Sequence, residues 1–152
     1  MSQLDLEISN RTNVKCAFCD IVRGDTPAHI VFEDNLSLAF LDKRPLFPGH
    51  CLLVPKKHFS TLVDLDASLI TPLFLNARML AAAVEKAMGA EGTFVAINNK
   101  VSQSVPHMHI HVVPRKKKDG LKGFFWPRNP YKEDKHIAEV QKRIVQAISR
   151  LK

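Results

Sequence analysis

The chain has 152 residues, 45% of them hydrophobic and 24% charged, with 9 prolines, 6 glycines and 3 cysteines. This composition excludes a collagen, a disulfide scaffold, a heptad coiled coil and a fully disordered polymer, and the length suffices for one domain with a hydrophobic core. The formal net charge of +7 favours a nucleic-acid partner. However, residues 115–152 hold 12 basic and 4 acidic side chains, against 10 basic and 11 acidic in residues 1–114. The excess charge therefore belongs to a basic C-terminal extension.

The start of the chain has no targeting pattern. Residues 1–15 are polar and mixed in charge, without the basic start and apolar block of a secretory signal. No uninterrupted apolar run approaches the roughly 18 residues that span a bilayer. Three cysteines, an odd number, suit a reducing compartment. We therefore expect a cytoplasmic protein without a membrane segment, in which residues 1–15 form a flexible N-terminal segment.

A helical turn and three short strands are predicted in the first third of the chain. Residues 16–23 favour a helical turn, and Gly24 ends it. The turn residues Asp34 and Asn35 separate two apolar runs, as in a β-hairpin. The predicted strands are residues 29–33, 36–41 and, after a loop that contains two prolines, 50–54.

A long amphipathic helix is the clearest predicted element. Asp66 can cap its first turn, and Gly89 provides a left-handed stop. Pro72 is tolerated if the helix starts near Leu69, because backbone N–H groups in the first turn make no hydrogen bond within the helix and proline lacks only that N–H. Two further strands and a second amphipathic helix are predicted at residues 92–98, 107–113 and 133–152.

Three histidines alternate along the fifth predicted strand. Because side chains in a strand alternate between faces, His107, His109 and His111 share one face, and the apolar residues between them share the other. Neighbours on one face are about 7 Å apart, which is too far for direct ring pairing but suits the lining of a groove. An exposed polar face would explain any one of these histidines. It does not explain three at alternate positions.

The segment 107–113 resembles the histidine triad (HIT) nucleotide hydrolases and transferases, whose pattern is His, apolar, His, apolar, His, apolar, apolar. The stretches FCDIVRGDTP, LAFLDKRPLFPGH, LLVPKKHFS and QSVPHMHIHVVPR are similar to the same family, and the resemblance covers about residues 16–115. It implies an α+β fold with a five-stranded antiparallel sheet and one long helix, here followed by an extra C-terminal helix. We expect a single such domain over residues 1–152 and, as is usual in this family, a homodimer.

The resemblance also implies a mechanism. His109 would attack the α-phosphorus of a purine nucleotide and form a nucleotidyl-histidine, which water then hydrolyses. His111 would hold or protonate phosphate or leaving-group oxygens, and the main chain near His107 would select the tautomer of His109. Two substrate classes fit this chemistry, nucleoside phosphoramidates and dinucleoside polyphosphates.

Further positions match the family's nucleotide-binding residues. Asp42 matches the acid that accepts from the ribose hydroxyls. Gln103 and Ser104 would donate to phosphate oxygens, although both could be ordinary polar residues of a loop. The other implied contacts are a purine pocket of Phe18, Ile21, Phe40 and Leu52, which could equally be plain core, the phosphate-groove residue His50, and Asn98. The following loop is short and lacks glycine, so Asn98 and Asn99 remain alternatives.

The pair Cys16-x-x-Cys19 is a second constellation. By itself it could be a redox pair or chance. The resemblance to zinc-bearing, bacterial-type members of the family adds His58 and His107, and four nitrogen and sulfur ligands complete a tetrahedral zinc site. A closed site of this kind has a structural role, because it leaves no open position for water.

The basic extension leaves alternatives open. Residues 115–118, which directly follow the triad strand, could hold a polyphosphate leaving group or be a solvated face. Phe124, Phe125 and Trp126 could pack on a partner subunit or stack on a second base. Two rival functions are a non-catalytic, zinc-stabilised module that binds nucleic acid through this tail, and a nucleotide-binding interaction protein with little turnover. Nucleic acid is the less favoured partner, because binding to it does not explain why three histidines alternate on one strand.

Overall fold

The computed structural model describes residues 15–121 and 129–151. These residues form two compact units, a body within residues 1–117 and a second unit within residues 118–152, and each is described by itself. The expected flexible segment lies outside the described residues except for Lys15, as do Phe124, Phe125 and Trp126.

The body is built on a five-stranded antiparallel sheet with the strand order β1-β2-β3-β5-β4. Its first two strands form the predicted hairpin, with a bulge in β1. All five residues of β3 are buried, because this central strand is covered on both faces. The strands are β1 (Ile30–Glu33), β2 (Ser37–Leu41), β3 (Cys51–Pro55), β4 (Gly92–Ala96) and β5 (Ile110–Arg115). The predicted α+β class and five-stranded sheet are confirmed.

The short helix α1 (Ala17–Arg23) precedes the sheet. Cys16 is its N-cap, and the Cys16 sulfur accepts a hydrogen bond from the Cys19 N–H. Gly24 ends α1 in the left-handed conformation, with φ of 83°. The cap therefore turns the Cys16 sulfur back toward Cys19, and the geometry of the CxxC pair follows from the helix start.

The long helix α2 (Ala67–Met88) ends at Gly89 as predicted, in the left-handed conformation. Its start differs from the prediction in two respects. Asp66 occupies the N-cap position, but its side chain makes no cap hydrogen bond and instead accepts from Lys57 Nζ at 2.9 Å. The helix begins at Ala67, so Pro72 lies inside it rather than in its first turn. Packing against the sheet compensates for the missing N–H at that position.

One face of α2 covers the sheet and forms the main core. Its buried residues pack against the apolar face of β5 and against Met108, two residues before the strand; Met108, Ile110 and Val112 are fully buried. The predicted separation of apolar and histidine faces is thus correct. By length and composition α2 would also pass as a membrane span, but it contributes a buried face to this core: Leu73, Ala77, Leu80 and Val84.

The opposite face of the sheet carries a second cluster, in which α1 packs on β2 and β3. Phe18 meets Phe40 edge to face, with ring centroids 5.3 Å apart. The loop that joins β2 to β3 needs glycine near its end. Gly49 has φ of 94°, and a Cβ there would lie 2.6 Å from the Met88 side chain. This face of the sheet, α1 and the β2–β3 loop surround the candidate site.

The second unit contains the helix α3 (Asp134–Leu151), which agrees with the predicted helix over residues 133–152 within one residue at each end. Its apolar residues recur at helical spacing, and Ile137, Ile144 and Leu151 are exposed.

Candidate active site

A cavity of about 560 Å³ opens between α1, the β2–β3 loop and the segment that leads into β5. This volume lies in the range of small-molecule sites. Eight residues of the predicted site line it: Phe18, Ile21, Phe40, Asp42, Leu52, Ser104, His109 and His111. The four predicted purine-pocket residues therefore serve both as core and as cavity wall.

The ring of His109 has a defined tautomer. Its Nδ1 lies 2.6 Å from the carbonyl oxygen of His107. A carbonyl only accepts, so Nδ1 carries the proton and the lone pair is on Nε2. Phe18 contacts the same ring edge to face, with centroids 5.1 Å apart, and only 3% of His109 is exposed. This residue therefore presents a nucleophilic nitrogen on a ring that packing holds still.

A backbone amide determines the tautomers of two further histidines. The Leu46 N–H donates to His50 Nδ1 at 3.1 Å, so His50 carries its own proton on Nε2. The Nε2–H of His50 then donates to His111 Nδ1, 2.9 Å away. The remaining proton of His111 is therefore on Nε2. His111 is a hydrogen-bond donor in the cavity, and His50 supports it from behind without lining the cavity itself.

The predicted separation of the histidine rings is wrong. The ring centroids of His109 and His111 are 4.9 Å apart, and those of His50 and His111 are 5.1 Å apart. Cβ positions in a strand are further apart than this, but side chains lean along the strand. In addition, β5 begins only at Ile110, so the backbone at His109 is not part of the regular ladder. The histidines are in ring contact.

Burial keeps His111 and His50 uncharged at neutral pH. It lowers the pKa of His111 from 6.5 to about 4, with the neighbouring His109 and His50 adding to the shift. Burial also lowers the pKa of His50, although Asp42 Oδ2, 3.8 Å from His50 Nε2, opposes the change. Both rings therefore keep the tautomers that their hydrogen bonds select.

This lowered pKa predicts acid sensitivity. Between about pH 6.5 and pH 4 the unfolded chain protonates His111 and the folded chain does not, so we expect the free energy of unfolding to fall as the pH is lowered through this window. One histidine contributes at most about 1.4 kcal/mol per pH unit. Urea unfolding at several pH values should show a shallower dependence for His111→Asn than for wild type. The exposed His29→Asn is the control, and parallel curves for His111→Asn and wild type would contradict the assignment.

Four side chains, those of Cys16, Cys19, His58 and His107, form a compact set of possible metal ligands. Cys16 Sγ and Cys19 Sγ each lie 3.5 Å from His107 Nδ1, and Cys19 Sγ lies 3.3 Å from His58 Nδ1. Bonds of about 2.3 Å from zinc to sulfur and about 2.1 Å to nitrogen would separate such atoms by about 3.6 Å in a tetrahedron. The sequence-predicted ligands are thus brought together at distances that fit one metal ion.

The protonation states of this set also fit a metal ion. His107 Nε2 donates to the Pro55 carbonyl at 2.8 Å, which leaves the lone pair on the Nδ1 that faces the sulfurs. Burial, together with the neighbouring Cys16 sulfur, raises the pKa of Cys19 to about 11. A thiolate at this position therefore needs a nearby cation, and a bound metal ion would supply it.

A second group of possible ligands, Asp42, His50 and His111, fits a metal ion less well. A neutral imidazole that binds a metal through Nε2 must carry its proton on Nδ1, but His50 Nδ1 accepts from the Leu46 N–H. The short contact between His50 and His111 is explained by a hydrogen bond. We therefore interpret this group as a network that orients His111.

Besides His50, two predicted nucleotide contacts are not brought to the cavity, Gln103 and Asn98. Gln103 donates from Nε2 to the Ser60 carbonyl at 2.6 Å and accepts at Oε1 from the Lys100 N–H. Its amide holds the loop before the triad, because both of its ends are occupied by backbone groups. Asn98 does not line the cavity, and neither does Asn99, whose Oδ1 accepts from the Leu62 N–H.

The basic residues that follow the triad do not line the cavity. His111 lies at the start of β5 and Arg115 at its end, four residues or about 13 Å further along the strand. The strand therefore carries residues 115–117 away from the site. Cationic residues do line it, however, at Lys43 and Arg44, which the sequence analysis did not select. Their position directly after Asp42 was the available signal.

Comparisons with known proteins found relatives of similar sequence. The chain is 36% identical over 108 residues to an adenylylsulfatase from Arabidopsis thaliana, a match that covers 70% of this chain and 55% of the plant protein. It is 36% identical over 119 residues to an adenosine 5′-monophosphoramidase from Schizosaccharomyces pombe, covering 77% of this chain and 86% of that protein. The chain thus spans about half of the first relative and most of the second.

A solved structure resembles the fold over most of the chain. The Zn-bound histidine triad family protein from Mycobacterium smegmatis has a TM-score of 0.67 and 33% identity, and the match covers 88% of this chain and 97% of that one. The model of the HIT domain matches residues 23–118, which include the triad, Asp42, His50 and His58. The chain therefore belongs to the HIT domain family.

Proposed function

We propose that this protein hydrolyses purine nucleotides by attack at the α-phosphorus, through a covalent intermediate on His109 Nε2. The observation that carries the proposal is the hydrogen bond from His109 Nδ1 to the His107 carbonyl. It leaves the lone pair on Nε2, on a buried ring at the wall of a cavity of nucleotide size. An imidazole in this tautomer can attack without first losing a proton.

The bond changes balance without an additional reactant. The His109 Nε2 lone pair forms a bond to phosphorus as the bond to the leaving group breaks, and the leaving group takes its electron pair and then a proton from water. The His107 carbonyl stabilises the positive charge that develops on the ring, because it accepts from Nδ1–H. Water then displaces His109 and releases a nucleoside 5′-monophosphate.

His111 has a supporting role in this scheme. Its Nε2–H donates to a phosphate or leaving-group oxygen, where charge accumulates in the transition state. The hydrogen bond from His50 holds it in this tautomer, so His50 is a positioning residue. Of the two roles that the resemblance implied for His111, holding the oxygens fits the hydrogen-bond chain better than protonating them.

The rest of the cavity suits a purine nucleoside. Phe18, Ile21, Phe40 and Leu52 provide an apolar pocket for a base. Asp42 has one oxygen engaged by the Arg44 N–H at 2.8 Å, which orients the carboxylate and leaves acceptor capacity for ribose hydroxyls. The hydroxyl of Ser104, an exposed residue of the cavity wall, is a donor for phosphate oxygens.

Two relatives support a substrate with a single activated bond at the α-phosphorus. One is named as an adenylylsulfatase and the other as an adenosine 5′-monophosphoramidase. A panel of adenylylsulfate, adenosine 5′-phosphoramidate and diadenosine tetraphosphate tests the proposal. We expect hydrolysis of at least one to adenosine 5′-monophosphate, with a nucleotide bound to the enzyme in the quenched reaction. Absence of turnover on all three would refute the proposal.

We further propose that Cys16, Cys19, His58 and His107 hold a structural zinc ion, as in zinc-containing members of the family. The donor set and its distances support this. Bound zinc would cross-link α1 to the segment that carries the triad. The ring of His107 would be held by the metal ion while its carbonyl holds His109, so the site would stiffen the nucleophile's support.

We also propose that two copies of the chain pair through the outer face of α2. Ile70, Phe74, Leu75 and Met79 are exposed there, each by 40% or more. The strand β4, which pairs only with β5 among the described residues, adds an open edge with the exposed Val95. A second copy, with the same helix face and strand edge, is the partner that matches both features.

This surface makes a specific prediction. Leu75→Asp should convert a dimer to a monomer in analytical ultracentrifugation, because the charge would be buried in the interface. Val63→Asp is the matched control, since Val63 is exposed and apolar but lies outside α2 and β4. A wild-type protein that sediments as a monomer at micromolar concentration would refute the pairing.

A further inference from the structure

We propose that Lys43 and Arg44 form a subsite for a second phosphate group of the nucleotide, distinct from the α-phosphate that His109 attacks. This inference rests on the proposed function and deepens it. Both residues are exposed and line the same cavity as Asp42, His109 and His111. A substrate that fills the cavity therefore contacts a wall that carries two cationic side chains.

The charges of Lys43 and Arg44 have no ion-pair partner in the described part of the body. Three other cations of the body do have acidic partners: Arg23 pairs with Asp20 and Asp25, Lys56 with Glu33, and Lys57 with Asp66. Within residues 15–117, no carboxylate forms an ion pair with Lys43 or Arg44. Two adjacent unpaired cations at the wall of a cavity attract an anion.

Backbone hydrogen bonds hold the pair in place. The Arg44 N–H donates to Asp42 Oδ1 at 2.8 Å, and the Asp42 N–H donates to the His50 carbonyl at 2.9 Å. Pro45 follows directly and restricts the backbone further. The start of the β2–β3 loop is therefore ordered before a ligand binds, and the two side chains begin from fixed positions beside the proposed ribose acceptor.

No other basic group of the described cavity wall competes for this role, since Lys43 and Arg44 are its only lysine and arginine. The strand β5 carries residues 115–117 away from His111, as described above. An arginine can bind phosphate through two parallel N–H groups, and a lysine adds a point charge. The pair thus has the chemistry of a phosphate site.

The second phosphate has two possible sources, a phosphate on the ribose or the next phosphate of a polyphosphate chain. Calorimetric titration at low and high salt distinguishes them with four ligands. These are adenosine 5′-monophosphate, adenosine 2′,5′-bisphosphate, adenosine 3′,5′-bisphosphate and α,β-methylene adenosine diphosphate, which is not cleaved. The proteins are wild type, the double variant Lys43→Gln and Arg44→Gln, and a control double variant, Lys142→Gln and Arg143→Gln, which changes an adjacent lysine and arginine on exposed positions of α3.

We expect wild type to bind at least one two-phosphate ligand about tenfold or more tightly than the monophosphate, with a preference that weakens at high salt. The Lys43 and Arg44 variant should lose this preference and keep its affinity for the monophosphate, and the control should retain both. Preference for a bisphosphate identifies the ribose as the source, and preference for the methylene compound identifies the polyphosphate chain.

Equal affinity of wild type for all four ligands would overturn the proposal, as would a preference that survives in the Lys43 and Arg44 variant. These titrations require no turnover, so their outcome is separate from that of the proposed function. A protein that shows the preference but hydrolyses no nucleotide would refute the hydrolase and retain the subsite. A protein that hydrolyses nucleotides but lacks the preference would refute the subsite and retain the hydrolase.

Discussion

Replacement of His109 by alanine should abolish nucleotide hydrolysis, with a loss of at least about a thousandfold in kcat. The variant removes the proposed nucleophile, His109 Nε2, and the neighbouring ring of His111 cannot take its place. His111 has its lone pair on Nδ1, which accepts from His50, and its Nε2 carries a proton. The covalent nucleotide adduct should also be absent from mass spectra of quenched reactions.

Two further measurements make this test specific. His29→Ala removes an exposed histidine that does not line the cavity, and we expect its turnover to match that of wild type. His109→Gly leaves a space of ring size, so added imidazole should restore part of the turnover if the ring acts as the nucleophile. Circular dichroism establishes that each variant is folded.

Turnover by His109→Ala within about tenfold of wild type would contradict the mechanism. The rival reading, a module that binds nucleic acid through its basic tail, predicts binding that ignores His109 and weakens steeply with salt. A binding assay with wild type and His109→Ala at two salt concentrations separates the two. An interaction protein with little turnover would bind nucleotide but form no adduct.

Removal of zinc should have the second largest effect. At free zinc a thousandfold above the dissociation constant, bound zinc stabilises the folded state by about 4 kcal/mol. We expect one zinc ion per chain by elemental analysis, a fall of this order in the free energy of unfolding after chelation, and recovery when zinc is returned. Cys16→Ser and Cys19→Ser should each lose the metal.

The same experiment should affect the active site. α1 carries Phe18 and Ile21 of the cavity wall, and its N-cap is Cys16, one of the proposed zinc ligands. Loss of zinc should therefore raise KM and increase hydrogen exchange in α1. Cys51→Ala is the matched control, because Cys51 is a free, buried cysteine outside the cluster. Wild-type protein without zinc, or either serine variant with full zinc, would contradict the assignment.

The candidate site divides into residues that the sequence identifies and residues that depend on distant contacts. The triad is recognisable because its three histidines alternate within a short segment; His109 and His111 line the cavity, and His107 joins the metal cluster. Asp42 and Ser104, which also line the cavity, were predicted because they match the family's nucleotide-binding positions. The metal set needed the family resemblance, since His58 and His107 lie far along the chain from the cysteines. Gln103 and Asn98 were predicted from the same resemblance but are not brought to the cavity.

By itself the sequence determined the order of helices and strands, the faces of the triad strand, the helix end at Gly89 and the chemical type of each candidate group. These properties depend on the period of the backbone and on the residue type, and both are local. Only the tertiary structure decided which nitrogen of each histidine is free. The tautomer of His111 depends on His50, 61 residues earlier in the chain, and through it on the Leu46 amide.

The position of the positive charge was decided in the same way. The sequence located the excess in residues 115–152, next to the triad in the chain, whereas the strand carries residues 115–117 away from the cavity. The loop between β2 and β3 brings Lys43 and Arg44 to it instead. A strand extends by about 3.3 Å per residue while a loop reverses the chain, so neighbours in sequence separate and distant residues meet.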